Sequence, residues 1–387
     1  MGNATDSGSS PAPPARPNDD EIVPVDVQLA WQEHYCRTAG APTAALVLQS
    51  VREDLAQGGP CAEVLPERTR FGDRIGLRIM AALHLLAIER QAPQIALHVP
   101  TLGGIAPDAS PDPPRERIRF RSAVIDAISE HADRIRAALD RVPQTNEVGR
   151  CIPLRIGLSH VARVSEGLSV RLLEIGSSAG LNLRADHLPG LGQLEVGPLP
   201  DIVERLGCDL HPIDPGSTAG RARLTSYIWL DDTDRYERLR QALDVAGRVP
   251  ARVVQQDAVE FTESISLVPG TATVLWHSAM WIYLSPADRE RIEQGIQRLG
   301  EQASPEQPFW HLCWEWATDP GITVPQPGSD ATFSLIARCW AGHGTQADED
   351  PWTDGEVRIL ASGTSHGRSV LASSVRGGSV RAQTGLC

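Results

Sequence analysis

Lysine is missing from this chain: all 36 of its basic residues are arginine. Genomic base composition accounts for the bias, but its chemical consequence stands. Without lysine the chain cannot form a pyridoxal phosphate Schiff base, supply a P-loop lysine, or work as a protein kinase of the usual kind. No apolar run approaches the roughly 18 residues that a membrane helix needs. Met1 to Asp20 has no apolar core of a secretory signal. The net charge of −13 argues against a nucleic-acid surface, which needs clustered cations. The seven cysteines include no C-x-x-C pair, and no spacing of Cys, His and carboxylates resembles a zinc site, so reduced thiols and no metal are expected. The composition thus reads as a soluble cytoplasmic protein with no membrane and no nucleic-acid partner.

What is present is enough for a core: 41% of the 387 residues are hydrophobic, and the length suggests roughly two domains. Residues 1–24, rich in Ser, Pro, Gly and Asp, are expected to stay disordered. Residues 25–165 read as helical. Gly72 to Arg90 places Ile75, Ile79, Ala82, Leu83 and Leu86 on one stripe, and Arg115 to Arg141 reads as one long charged helix burying Ile118, Val124, Ile125, Ile128, Ile135 and Leu139. In residues 166–371 the texture changes to short apolar strands alternating with helices. The strands are Val170–Ile175, Gly207–Leu210, Arg252–Gln255, Ala272–Trp276 and Phe309–Trp314; the helices are Arg235–Ala246 and Pro286–Leu299. That alternation predicts an α/β fold with a mostly parallel sheet. Phe333–Trp340 and Glu356–Ala361 suit a terminal antiparallel pair, and residues 372–387 a flexible tail.

The stretch Arg171 to Asn182 concentrates the chemistry. An apolar strand ends in Glu174-x-Gly176-x-x-x-Gly180 and leads into a helix-compatible segment, the place where α/β sheets hold a ligand. Glycine there lets backbone turn sharply and approach a ligand. Two chemistries fit the same residues. Glu174, Gly176 and Gly180 resemble the first motif of class I S-adenosylmethionine-dependent methyltransferases, with Ser178 and Asn182 in the same turn. In that resemblance Asp209, in Gly207-Cys-Asp-Leu-His-Pro212, is the acid for the cofactor ribose after strand two. Asp257 is the adenine-side acid after strand three, and His277 closes strand four as a proton-abstracting base. The gap between Gly176 and Asp209 makes Leu188–Leu199 an insertion. Gly176-x-Ser178-x-Gly180 also spells a hydrolase nucleophile elbow, with Asp257 and His366 in the chain order of acid and base, and Leu102–Gly104 as a poor oxyanion segment. The late run Phe309–Trp316 alternates with period two: Trp310, Trp314 and Trp316 share a core face, and Glu315 lies on the other as a weaker site candidate.

Several segments together closely resemble a bacterial family known as domain of unknown function 2332. They are Gln144–Arg150, Glu174–Asn182, Gly207–Asp214, Leu230–Arg235, His277–Leu284 and His366–Arg368, within roughly residues 70–370. The resemblance implies a methyltransferase-like fold and no established activity. It draws notice to Asn146, Glu147 and Arg150, either as a lid or substrate clamp over the cofactor crevice or as helix caps and a structural ion pair. An arginine suits a carboxylate or phosphate on a substrate. The expectation is a Rossmann-like, class I methyltransferase-type domain behind a helical N-terminal region, transferring a group from S-adenosylmethionine to a small molecule. A non-catalytic protein that binds a nucleotide-like ligand, and a serine hydrolase using Ser178, are the alternatives.

Overall fold

The computed structural model describes residues 17–165, 167–188, 196–316, 333–340, 352–367 and 370–372. The chain divides into two compact units, neither continuous in sequence: Met1–Thr145 with Ala222–Tyr236, and Asn146–Arg221 with Glu237–Cys387. The first break thus falls at Thr145 rather than Ser165, and a short later segment belongs with the helical part.

The first unit is built on helices α1 (Val25–Thr38), α2 (Pro42–Ala56), α3 (Cys61–Val64), α4 (Ile75–Ile88), α5 (Pro93–Ala96), α6 (Pro113–Glu130) and α7 (Ala132–Leu139). Strands β1 (Ile22–Pro24) and β2 (Arg68–Arg70) pair antiparallel, so the expected tail is ordered at least at its end, while residues 1–16 lie outside the described residues. α4 buries the stripe read from its period, Ile75, Ile79, Ala82, Leu83 and Leu86. The single helix expected from Arg115 to Arg141 is two helices, broken where His131 leaves helical geometry (φ −116°, ψ 30°). Val124, Ile128, Ile135 and Leu139 are buried as expected, whereas Ile118 is 71% exposed.

Ala222–Tyr236 completes this unit through two polar contacts. Both Asp231 carboxylate oxygens accept backbone N–H groups at the start of α2, from Thr43 (3.0 Å) and Ala44 (2.9 Å), a helix cap supplied from 187 residues away. His84, fully buried, has Nδ1 3.1 Å from the Ile228 carbonyl and Nε2 3.2 Å from Thr101 Oγ1. The carbonyl can only accept, so Nδ1 carries the proton and Nε2 accepts from the hydroxyl. Burial pushes His84 down to about 4. The unfolded chain, with an ordinary imidazole, therefore binds more protons between about pH 6.5 and 4. Stability is expected to fall by about 3 kcal/mol as pH drops through that window. Urea unfolding followed at several pH values reads this slope, and His84→Gln should flatten it.

The second unit holds α8 (Cys151–Val164), β3 (Ser169–Ile175), β4 (Ile202–Asp209), β5 (Arg252–Gln255), α11 (Ala258–Ser264), β6 (Thr271–Ser278), α12 (Pro286–Gln302), β7 (Phe309–Trp316), β8 (Phe333–Trp340), β9 (Arg358–Gly363) and β10 (Val370–Ala372). Helices α9 (Thr218–Ser226) and α10 (Thr233–Ala246) run through the unit boundaries. Among the described residues the eight strands form one sheet in the order β10-β9-β8-β7-β6-β3-β4-β5. β5, β4, β3, β6 and β7 are mutually parallel, and β8, β9 and β10 extend the sheet antiparallel. The α/β class and the largely parallel sheet agree with the sequence reading. The chain order reverses between β3 and β6, and such a switch point opens a crevice at the strand carboxyl ends.

Alternation along the strands sorts two faces. Leu173, Ile175, Leu275 and Phe309 pack with α11 and α12 around Ile292, Ile296 and Leu299. On the other face α8 packs on β7, where Gly157 sits so close to Leu312 that an added Cβ would meet its Cδ1 at 2.7 Å. α8 therefore belongs to the sheet unit and not to the helical one. No helix among the described residues is long and apolar enough to cross a membrane.

Candidate functional site

β3 ends at Ile175, and the chain turns through Gly176 (φ 68°), Ser178 (φ 54°) and Gly180 (φ 64°), all left-handed. The expected helix does not follow. Only a three-residue 3-10 turn, Asn182–Arg184, forms before the chain leaves the described residues at 188. Arg184 explains this locally. Its buried guanidinium donates to the Gly180 carbonyl (2.7 Å) and, through Nε, to the Val249 carbonyl (2.7 Å). The Arg184 N–H meanwhile bonds the Leu181 carbonyl (3.2 Å) in the 3-10 pattern instead of the Gly180 carbonyl. Nothing in the residue pattern marked Arg184 beforehand.

The turn is held by its neighbours. Asp209 Oδ2 accepts the Ser178 N–H (2.8 Å) and Oδ1 the His211 N–H (2.8 Å). Ser177 Oγ donates to the Cys208 carbonyl (2.9 Å), and a Cβ on Gly207 would meet that oxygen at 2.1 Å, so Gly207 is needed for the close approach. Gly180 is also required by packing: a Cβ there would stand 2.8 Å from Val253 Cγ2. Asp257 accepts the Val259 and Glu260 N–H groups (both 2.9 Å) as the N-cap of α11.

Asn146, Glu147 and Arg150 reach the same turn. Asn146, itself left-handed (φ 31°), donates through Nδ2 to the Ser177 carbonyl (3.1 Å), and Asn182 Nδ2 donates to the Glu147 carbonyl (3.3 Å). Glu147 accepts the Gly149 N–H (3.0 Å) and pairs with His366 Nδ1 (3.2 Å). Arg150 donates to the carbonyls of Ser278 (3.0 Å) and Ser365 (3.3 Å). Gly149 and Gly367 touch backbone to backbone, each Cβ position falling within 2.3 Å of the other segment's carbonyl oxygens. Segments far apart in sequence thus meet at one turn.

That turn is rich in unsatisfied polar atoms. Glu174 Oε2, Ser178 Oγ, Asn182 Oδ1 and Asn146 Oδ1 are buried with no hydrogen-bond partner. Such atoms are uncommon in folded proteins and mark a place where a partner fits. Glu174 is 2% exposed. Burial raises its carboxyl to about 8, against the lowering influence of Arg150 and the Trp276 indole. The triad of the hydrolase alternative is not assembled: Ser178 Oγ carries no hydrogen bond, Asp257 caps a helix and His366 pairs with Glu147.

His277 stands elsewhere. Glu174 is paired in register with Trp276, so the next residue, His277, projects from the opposite face of the sheet. It is 1% exposed, and both ring nitrogens are engaged. Nδ1 is 2.9 Å from Glu315 Oε1 and Nε2 is 3.0 Å from His311 Nε2, while Trp281 stacks on the ring. Arg338, held by Glu293 (2.8 and 2.9 Å), donates to His311 Nδ1 (2.9 Å). The protons follow from the donor inventory. Arginine only donates, so His311 accepts at Nδ1 and carries its proton on Nε2; His277 accepts that proton's hydrogen bond and donates from Nδ1 to Glu315. Glu315 Oε1 also accepts the Met280 N–H (3.0 Å). Burial, with Arg338 adding to it, keeps His311 well below the usual imidazole value. Trp310 and Trp314 are buried on the other face of β7, as its alternation implies, whereas Trp316, expected beside them, is 39% exposed at the strand end.

A family model described as an uncharacterized protein conserved in bacteria (DUF2332) matches residues 27–371. The chain belongs to this family. No curated protein and no solved structure matches the chain. Family membership therefore carries no activity, and the polar turn at the end of β3 is the feature from which a function has to be argued.

Proposed function

We propose that this family member is an S-adenosylmethionine-dependent transferase acting on a small molecule, with the Glu174–Asn182 turn holding the cofactor. One observation carries the reading: four buried, unpartnered polar atoms belong to the turn after β3 and to Asn146, which bonds to it, where the parallel strand order reverses. The order β5-β4-β3-β6-β7 supports this reading, since it resembles the 3-2-1-4-5 order of doubly wound sheets, whose ligands bind beyond the strand carboxyl ends. Glu174 Oε2, Asn146 Oδ1 and Asn182 Oδ1 offer acceptors, which suits the ammonium and hydroxyl groups of this cofactor. When bound, the cofactor supplies an electrophilic methyl group. Asp209, at the end of β4, keeps the turn in place through one oxygen on each of two N–H groups and stands where the ribose-side acid is expected. Asp257, at the end of β5, is the adenine-side residue. Among the described residues only the 3-10 turn Asn182–Arg184 lies between β3 and β4, so binding rests on side chains. The small-molecule acceptor faces Asn146 and Arg150, since His277 is locked on the far face.

Calorimetric titration of the purified chain with S-adenosylmethionine and S-adenosylhomocysteine tests this. Micromolar binding that weakens at least tenfold in Glu174→Gln is the expected result, and no binding at millimolar ligand sinks it. Saturable binding without turnover on any acceptor would leave a ligand-binding protein. The left-handed turn at Ser178 keeps hydrolysis as a second reading despite its unassembled triad, and labelling of Ser178 by a serine-directed phosphonate would revive it.

A further inference from the structure

The far face of the sheet carries a second cluster, independent of the cofactor turn. His311, Cys313 and Glu315 alternate along β7, and His277 on β6 lies in register with Cys313. Period-two alternation thus gathers four chemically active side chains on one patch. His277 Nε2 or Nδ1, His311 and the Cys313 thiol present donor atoms within 4.8 Å of one another, all three residues being buried. His311 and Cys313 also line a cavity of about 560 Å³, together with Trp281, Arg289, Glu290 and Arg338.

We propose that His277 Nε2, His311 Nε2 and Cys313 Sγ form a binding site for a borderline transition-metal dication of the zinc class. Two imidazoles and a thiolate are the donors such an ion takes, and three protein ligands beside a cavity leave a fourth position open. The Nε2–Nε2 separation of 3.0 Å is close to the roughly 3.3 Å that two nitrogens need around a tetrahedral ion with Zn–N bonds near 2.0–2.1 Å. Glu315 on His277 Nδ1 supplies the carboxylate–histidine arrangement that orients metal-bound imidazoles. Arg338 opposes the metal. Its hydrogen bond to His311 Nδ1 keeps the ring proton on Nε2, where the ion would sit. Metal entry moves that proton to Nδ1, turns Arg338 away to Glu293 alone, and releases the thiol proton to solvent. In the metal-free state, a proton occupies the place of the ion.

Cobalt(II) titration of the chelator-stripped full chain, followed by absorption spectroscopy, is the test. One equivalent should give strong visible ligand-field bands and a near-ultraviolet thiolate charge-transfer band. Cys313→Ser should abolish the charge-transfer band. Arg338→Met, which keeps all three ligands, should tighten binding severalfold, a gain that a purely structural role for Arg338 does not produce. Circular dichroism of each variant first establishes that it is folded, and if Cys313→Ser fails there, Arg338→Met and the wild type carry the decision. Absence of stoichiometric binding, a spectrum indifferent to Cys313→Ser, or weaker binding in folded Arg338→Met would each overturn the proposal.

Discussion

Glu174→Gln is expected to raise the stability of the sheet unit by about 3–5 kcal/mol above roughly pH 8, and to leave it nearly unchanged below roughly pH 4. Burial holds the Glu174 carboxyl at about 8 in the folded chain, while the unfolded chain titrates near 4.5. Between those values the folded state binds the extra proton, so stability falls as pH rises and the full cost is present above the folded value. Below both values the side chain is neutral in either state, and glutamine has its shape. Denaturant unfolding of both proteins across this range reads the difference, and parallel pH profiles would show that Glu174 reaches solvent when ionised. The same proton bears on the proposed cofactor. Near neutrality Glu174 is largely uncharged, so a cationic ligand against it draws out a proton. Calorimetry in buffers of differing ionisation heat should then give different apparent enthalpies.

Removing the imidazole from His277 should be the most damaging single change on the other face. In His277→Leu the fully buried Glu315 loses its 2.9 Å partner and keeps only N–H groups from Met280 and Trp281. Leaving the buried carboxyl group without this donor costs about 1–3 kcal/mol, and more if it is charged. Replacing Glu315 by leucine as well removes the stranded carboxyl and should recover part of the loss. A guanidinium midpoint series over the single and double variants measures both steps. A loss under about 1 kcal/mol in His277→Leu would mean that the remaining N–H donors and water satisfy Glu315 at little cost.

The strands were legible in the sequence because burial on both faces writes a mostly apolar run, as in Leu172–Ile175 and Ala272–Trp276, each interrupted by one polar residue, Glu174 and Thr273. The α4 stripe was legible because one face of a helix repeats with its pitch. What failed was decided by distant partners. The helix after β3 had the right local composition, but the chain closes as a 3-10 turn whose Arg184 side chain ties Gly180 to Val249, far along the sequence. Ile118 fits a helical stripe, yet α6 turns that position outward. In the candidate site, the sequence indicated the turn and the 146–150 segment as elements worth joining, and the structure brings them together. It also placed His277 in the same crevice as Glu174, although the register with Trp276 sends it to the opposite face. The His311-Cys313-Glu315 alternation was visible on one strand, but its fourth member comes from a neighbour 34 residues earlier, a distance no spacing rule covers.

The discontinuity of the helical unit sets an order of events during synthesis. α2 receives its cap from Asp231, and buried His84 its hydrogen-bond acceptor from Ile228. A nascent chain that has reached Thr145 holds every long helix of this unit, but not the segment Ala222–Tyr236 that finishes it. At about 5–20 residues per second, ribosomes need roughly 5–20 s to supply the remainder. Through that interval the core around Leu48, Leu83 and Phe120 must wait with the buried His84 and the first turn of α2 uncapped, while β3 and its turn emerge behind it. The helical unit, first to be made, is therefore closed only after the first strands of the sheet have been synthesised.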